Sequence, residues 1–151
     1  MGLFLKLINM NTSIQLVNKF NLQPGDRVVV PKSQWQFVQH HALYLGYDDF
    51  GNHYMCENVI GVGVRLVKVK EFFNGVNKVT RIEKYAGNNY DRKIVVQKAL
   101  SKLGQPYNLI NYNCESFVND VLIMKAHSNQ VMNAFGLLAL ILIIGVLFKN
   151  N

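Results

Sequence analysis

Residues 113–118 read Asn113-Cys114-Glu115-Ser116-Phe117-Val118, a stretch that contains both a helix start and a thiol. An Asn directly before apolar residues at helical spacing predicts a helix that begins at Cys114, with Asn113 as its N-cap. A thiol in the first turn of a helix lies beside unpaired backbone N–H groups and the positive end of the helix dipole. Both stabilise a thiolate, so Cys114 is a candidate nucleophile. A small buried packing residue is the alternative role.

A candidate base for this thiol lies upstream, in a stretch that reads His40-His41-Ala42-Leu43-Tyr44-Leu45-Gly46. Its alternation predicts a β-strand over 37–45, with His41 and Leu43 on one face and His40 on the other. Only one of the two His side chains can therefore face Cys114, and alternation does not say which one. A thiol and an imidazole on separate elements are the two parts that a cysteine nucleophile requires.

A third group should orient the imidazole, as carboxylates and amides do in other catalytic triads. The next predicted strand, 53–57, carries His53 and Glu57 on one face, and Asn58 follows it. Glu57 is the natural acid partner, with His53 and Asn58 as alternatives.

Charge and composition exclude several classes of protein. The chain has 151 residues, which is enough for one domain with a real core. Its net charge of +7 comes from scattered Lys and Arg without a nucleic-acid-binding motif, so we expect no nucleic-acid partner. Its Cys and His residues lack C-x-x-C and H-x-x-x-H spacing, so we expect no metal site. Because no secretory signal is recognisable, we expect both thiols to be reduced and the domain to face the cytosol.

The segment 131–148 is apolar on all sides and contains no charged residue. At ~1.5 Å per residue it would extend roughly 27 Å, enough to cross a thin hydrocarbon core. A buried core helix is the alternative, which we disfavour because the segment lacks an apolar stripe with a polar opposite face. The sequence thus predicts a single-pass C-terminal membrane anchor, beside which the basic surface would attract anionic lipid head groups.

The remaining pattern predicts an α+β fold, in which a small, mainly antiparallel sheet packs on helices. Residues 1–20 are interpreted as an N-terminal lead-in, and residues 21–127 as the catalytic domain. A Pro-Gly turn at 22–26 precedes the first strand. The predicted strands cover 27–30, 37–45, 53–57, 64–69 and 79–82, and the predicted helices cover 91–103 and 114–126.

Three blocks of this sequence resemble the lecithin:retinol acyltransferase-like family, within the NlpC-type, permuted papain-like superfamily. In particular the chain resembles the small H-Ras-like-suppressor phospholipase/acyltransferases, over roughly residues 22–126. Residues 22–26 are similar to the family's L-x-P-G-D, residues 40–46 to its H-W-A-I-Y-V-G, and residues 113–118 to its N-C-E-H-F-V. The resemblance implies a permuted papain-like, NlpC-type fold.

The resemblance also implies roles for individual residues. It places Cys114 at the family's nucleophile and His40 at its general base, while His41 takes the place of a Trp. Glu57 stands where members often have a second His, which implies that a carboxylate orients His40. Ser116 replaces the His of the family's N-C-E-H-F block.

The implied activity is that of a membrane-anchored, cysteine-dependent phospholipase A/acyltransferase. The expected acyl donor is a glycerophospholipid, and the expected acceptor is water, an amine or a hydroxyl, with no cofactor. A thiol peptidase or amidase of the same superfamily is one alternative. The other is a non-catalytic, membrane-tethered binding module, which the departures at Glu57 and Ser116 favour.

Overall fold

The structure, a computed structural model, describes residues 12–32, 38–123 and 129–149. These residues form a five-stranded antiparallel sheet with helices on both faces, which confirms the predicted α+β class. The strands are β1 Arg27–Pro31, β2 Gln39–Tyr47, β3 His53–Val59, β4 Gly63–Lys68 and β5 Arg81–Glu83. The helices are α1 at 12–19, α2 Val69–Phe72, α3 Asn89–Ser101, α4 Cys114–Ile123 and α5 Asn129–Lys149.

The sheet has the strand order β4-β3-β2-β1-β5. Strands β1 to β4 form a meander, and the chain then returns so that β5 pairs with the outer edge of β1. Strand β2 is central and is held by backbone hydrogen bonds on both sides. This pairing fixes which face of the sheet each of its side chains occupies.

The two faces of β2 contribute to two separate cores. Ala42 and Tyr44 are buried in a cluster with residues of β1, α1 and α2. Leu43, on the opposite face, is buried with Phe117 and Val118 of α4. The predicted alternation of β2 and the apolar stripe of α4 are thus confirmed. Because both faces are covered, the side chains in the middle of β2, at Ala42, Leu43 and Tyr44, are shielded from water.

A buried carboxylate holds the predicted turn before β1. Gly25 has a φ of +91°, a left-handed conformation that favours glycine, and Asp26 is fully buried. The Asp26 carboxylate lies within 3.1 Å of four donors, the amides of Gln23 and Tyr85 and the side chains of Lys84 and Arg92. It therefore joins the turn to α3 and to the segment after β5.

Helix α3 begins at Asn89 rather than at the predicted Asp91. Asn88 accepts hydrogen bonds from the amides of Tyr90 and Asp91, at 2.8 and 3.1 Å, and the Asp91 carboxylate accepts one from the Asn88 amide at 3.0 Å. This capping box fixes the start of the helix. Among the apolar residues in and just after this helix, Val95 and Ala99 are buried, whereas Ile94, Leu100 and Leu103 are exposed.

The ends of other predicted elements also differ. Strand β2 begins at Gln39, and the predicted start at Phe37 lies outside the described residues, as does the predicted end of α4 at Ala126. The fifth strand covers Arg81–Glu83 instead of 79–82. Part of the predicted lead-in is helical, and Val17 of α1 is buried in the core.

The predicted membrane anchor over 131–148 is not supported. Helix α5 covers that segment, but in the parts of the chain that the structure describes no helix is both long and apolar enough to span a bilayer.

We expect Asp26→Asn to lower the free energy of unfolding by about 3 kcal/mol at pH 7, because Lys84 and Arg92 lose a buried carboxylate. Burial alone would raise the pKa of Asp26, but Lys84, the Gln23 amide, Arg92 and the Tyr85 amide together lower it. The contribution is therefore present above the pKa of the unfolded chain, ~3.9, and is lost as pH falls below it. Urea denaturation at pH 7 and pH 3.5 measures both effects.

The exposed Asp49→Asn is the matched control, with an expected change of ~0.5 kcal/mol or less. An equal loss of unfolding free energy in both variants would contradict this account of the turn. So would a loss in Asp26→Asn that is as large at pH 3.5 as at pH 7.

Candidate active site

The N-terminus of α4 holds Cys114 at one end of the central strand. The Asn113 side chain accepts hydrogen bonds from the amides of Glu115 and Ser116, each at 3.0 Å, so the predicted N-cap is confirmed. Asn58 of β3 fixes the preceding loop by donating to the carbonyl of Tyr112 at 2.7 Å. Cys114 is 4% exposed, and its sulfur lies 3.7 Å from the carbonyl oxygen of Gln39, the first residue of β2.

The environment of the Cys114 thiol favours the thiolate. Burial alone would raise the pKa of Cys114, but His40, the backbone amide of His41 and the charge of Lys32 together lower it. The second cysteine, Cys56, is fully buried in the core, and burial raises its pKa to about 12. The two thiols of the chain therefore differ strongly in their tendency to ionise.

His40 lies between the Cys114 thiol and a buried carboxylate. Its Nε2 is 2.6 Å from Oε2 of Glu57. Burial alone would lower the pKa of His40, but the interactions with Cys114 and then with Glu57 raise it to about 9. Nδ1, the other ring nitrogen, makes no hydrogen bond of ordinary geometry within the described part of the chain. We therefore attribute the effect of each group on the pKa of the other to their opposite charges, since catalytic hydrogen bonds are often not fully formed before substrate binds.

Glu57 is held on its other side by Arg65 of β4. Nε and Nη2 of Arg65 lie 2.9 and 2.8 Å from Oε1 of Glu57, which leaves Oε2 for His40. Burial alone would raise the pKa of Glu57, but His40 and Arg65 lower it. From Cys114 through His40 and Glu57 to Arg65, neighbouring groups thus have opposite charges, as thiolate, imidazolium, carboxylate and guanidinium.

The other sequence candidates lie elsewhere. His41 is 1% exposed on the opposite face of β2, where burial and the charge of Arg27 lower its pKa. The Nδ1 atom of His53 is 2.6 Å from the Tyr44 hydroxyl. Asn58 points to the loop before α4, as described above. Of the three candidates for the third residue, Glu57 is the one that contacts His40.

Two charged residues near the thiol were missed by the sequence interpretation. Arg65 is the cross-strand partner of Glu57 in the β3–β4 hairpin. A hairpin centred on Gly61 pairs these positions, so its register could have identified Arg65. Lys32 follows β1 and lines the same cavity as Cys114, and no local pattern in the sequence indicates that proximity.

Cys114 lines an apolar cavity of about 470 Å³. The loop that carries Leu109 and Ile110 forms part of the wall, and α5 forms another part. The α5 residues in this wall follow helical spacing and are Val131, Ala134, Phe135 and Leu138. In the described ranges no group of three or more His, Cys, Asp or Glu side chains is arranged to hold a metal ion.

A thiol at a helix N-terminus beside a carboxylate-bound imidazole is an arrangement that activates a sulfur nucleophile. The sequence profile of the Lecithin retinol acyltransferase family matches residues 20–127. The chain is also 31% identical over 153 residues to Phospholipase A and acyltransferase 3 of Pongo abelii, covering 85% of this chain and 92% of that protein. This chain therefore belongs to the lecithin retinol acyltransferase family, as the resemblance predicted.

We expect iodoacetamide to alkylate Cys114 at pH 6–7 and to leave Cys56 unmodified, because the pKa is lowered at Cys114 and raised to about 12 at Cys56. In His40→Asn, burial of Cys114 persists without the imidazole, so the pKa of its thiol should rise. The alkylation rate at pH 7 should then fall about tenfold or more. Peptide mass mapping over a pH series measures both sites in one sample.

Labelling of Cys56 is the internal control for unfolding, because that thiol reacts when the core opens. The same pH profile for Cys114 with and without His40 would contradict the proposed thiolate–imidazolium pair.

Proposed function

We propose that this protein is a cysteine-dependent acyl-transfer enzyme that acts on glycerophospholipid esters, as a phospholipase A or an acyltransferase. The observation that carries the proposal is a thiol with lowered pKa, backed by His40 and Glu57, in the wall of an apolar cavity. Family membership supports it, as does a relative whose name describes phospholipase A and acyltransferase activity.

In the first half-reaction, the Cys114 thiolate attacks the ester carbonyl and a C–S bond forms. The C–O bond to glycerol then breaks as the His40 imidazolium gives its proton to the leaving oxygen. The products are an acyl-thioester on Cys114 and a lysophospholipid. The Asn113 side chain already accepts from the amides of Glu115 and Ser116, so we assign the Cys114 amide as the oxyanion donor of this helix.

In the second half-reaction, the acceptor attacks the thioester carbonyl while neutral His40 takes its proton. The C–S bond breaks, which restores the thiolate and the imidazolium. Water as acceptor releases a fatty acid, which is phospholipase A activity, whereas an amine or a hydroxyl gives an amide or a new ester. Each step uses groups of this chain, so the proposed mechanism requires no metal or organic cofactor.

Glu57 is proposed to orient His40 and to stabilise its imidazolium form, because its Oε2 is 2.6 Å from Nε2. Arg65 in turn fixes Glu57 through two contacts to Oε1. A carboxylate at this position can orient the imidazole of His40, as the second His does in other members. The departure at this position therefore does not favour a non-catalytic role.

A lipid substrate is favoured over a peptide by the lining of the cavity. Most of its side chains are apolar, which suits an acyl chain, whereas a peptide would require hydrogen-bonding partners for its backbone. The order of His40 before Cys114 accords with the permuted papain-like superfamily, whose peptidases remain the second candidate.

A membrane surface is the proposed source of the lipid. Five large apolar side chains in the cavity lining are half or more exposed, Val38 at 50%, Leu109 at 66%, Ile110 at 55%, Phe135 at 52% and Leu138 at 52%. Exposed apolar residues at the mouth of a ligand cavity mark a surface for apolar contact. The net charge of +7 adds an attraction to anionic head groups.

We expect Cys114→Ser to lose about a thousandfold or more of the acyl release from phosphatidylcholine vesicles, because the nucleophile is removed. Glu57→Gln should lose about a hundredfold, since the imidazolium loses its counter-charge. Fatty acid release and transfer to an added primary amine would be quantified by mass spectrometry. Cys56→Ala, which alters the other thiol, is the control and should keep its activity.

Full acyl release by Cys114→Ser would rule out this mechanism. Cleavage of a neutral peptide amide in preference to the phospholipid would favour the peptidase instead.

A further inference from the structure

Asn58 is a fully buried amide that takes no part in the mechanism above. It follows Glu57 in β3, so its side chain lies on the opposite face of the strand. Its Nδ2 donates to the carbonyl oxygens of Tyr112, at 2.7 Å, and of Asn113, at 3.4 Å. These two residues directly precede Cys114 in the chain. Asn58 therefore contacts the backbone that leads to the nucleophile.

Burial of this amide carries a cost that the loop does not explain. The Oδ1 atom of Asn58 makes no hydrogen bond within the described part of the chain, and a buried polar atom without a partner is destabilising. The Tyr112 carbonyl also accepts from the Asn108 amide at 3.0 Å, and the Asn113 carbonyl accepts from the Phe117 amide at 2.9 Å. Both carbonyls thus keep a donor without Asn58, so closure of the loop does not account for its amide.

The Asn113 carbonyl and the Cys114 amide belong to one peptide group. A trans peptide is planar, so its C=O and N–H bonds point in opposite directions. A donor that holds the carbonyl oxygen therefore also sets the direction of the N–H group. It polarises the peptide as well, so that the N–H donates more strongly. The Cys114 N–H is the group assigned to the oxyanion above.

The two hydrogen bonds of Asn58 differ in length. The bond to Tyr112, at 2.7 Å, anchors the side chain, whereas the contact with Asn113, at 3.4 Å, is longer than an ordinary N–H···O bond. When negative charge forms opposite the Cys114 N–H, the Asn113 oxygen becomes more negative and attracts the Nδ2 group more strongly. The contact then shortens, as catalytic hydrogen bonds often do in the transition state. An interaction that strengthens in the transition state accelerates the chemical step.

We propose that Asn58 is a positioning residue for the oxyanion, which holds the Asn113–Cys114 peptide so that its N–H points at the developing negative charge. This inference rests on the proposed function, because the oxyanion forms when the Cys114 thiolate attacks an ester carbonyl. Successive residues of β3 then support both halves of the site. Glu57 orients the base His40, and Asn58 orients the peptide of the nucleophile.

Two reactions of the same thiol separate this role from a structural one. Iodoacetamide transfers its acetamide group to the Cys114 sulfur and releases iodide, so no oxyanion forms. Attack on a p-nitrophenyl ester passes through an oxyanion before p-nitrophenolate leaves. The alkylation rate therefore reports the thiolate alone, whereas the rate of the first p-nitrophenolate burst also reports the oxyanion donor.

Asn58→Leu keeps nearly the same volume and removes the donor. The burst rate should fall about tenfold or more, because a weakened oxyanion donor raises the barrier to acylation. The value of kcat/KM for phosphatidylcholine should fall by the same factor. The rate of alkylation of Cys114 at pH 7 should stay within about twofold of the wild-type rate, because the thiolate and His40 are untouched.

Two control variants show that the assays respond as intended. Glu57→Gln acts through the His40 imidazolium and should lower both rates. Asn74→Leu removes an exposed amide away from the site and should lower neither. Labelling of Cys56 again reports unfolding.

A second measurement uses the wild-type protein and needs no variant. A fatty aldehyde adds to the Cys114 thiolate, so that a C–S bond forms and the carbonyl oxygen takes up the electron pair at the oxyanion position. The ¹H–¹⁵N signals of the Asn58 side-chain amide should shift downfield in this adduct relative to the protein alkylated with iodoacetamide. The reason is that the contact with the Asn113 carbonyl shortens.

An equal fall of both rates in Asn58→Leu would overturn the assignment, since Asn58 would then only hold α4 in place. Unchanged rates, or Asn58 amide signals that are the same in the two adducts, would overturn it as well. In each of these cases, ester cleavage that depends on Cys114 leaves the proposed function intact. If Cys114→Ser cleaves the esters as fast as wild type, the proposed function itself fails, and the role of Asn58 fails with it.

Discussion

The register between β2 and β3 is the constraint on which the candidate site depends. Ala42 is the cross-strand partner of Glu57, and His40 lies on the same face of β2 as Ala42. The carboxylate therefore reaches the imidazole, at 2.6 Å between Oε2 and Nε2. A shift of one residue would move Glu57 to the opposite face of the sheet, away from His40. Because β3 is also paired with β4, such a shift would disrupt that pairing as well.

The same strand pairing also places a compensating positive charge beside the buried carboxylate of Glu57. Glu57 is 5% exposed, and a carboxylate at that depth needs compensation by opposite charge and hydrogen bonds. Arg65 supplies this from the next strand, and its side chain is 45% exposed, so the line of charges ends in water. His40 can consequently carry a proton beside the thiol. The stability of the sheet and the chemistry of the site depend on the same pairs of residues.

Features that follow from local spacing could be predicted from the sequence, whereas features that follow from tertiary approach could not. The Asn113 cap, the alternation of β2 and the apolar stripe of α4 require neighbours a few residues apart. The choice of His40 over His41 required the family resemblance, because it depends on which side of the sheet the N-terminus of α4 meets. The role of Arg65 could have been predicted from the register of the β3–β4 hairpin, which pairs it with Glu57. No such local relation indicates Lys32. The apolar composition of 131–148 predicts a membrane anchor, whereas part of this segment lines the cavity that contains Cys114.

The central claim is that an acyl group passes through the sulfur of Cys114, and trapping that intermediate tests it most directly. Wild-type protein would be mixed with phosphatidylcholine, quenched in acid within one turnover, digested and mapped by mass spectrometry. The account predicts the mass of one acyl chain on the peptide that contains Cys114, removable by neutral hydroxylamine as a thioester is. Acyl release that proceeds at the normal rate with no adduct on Cys114 at any quench time would contradict it.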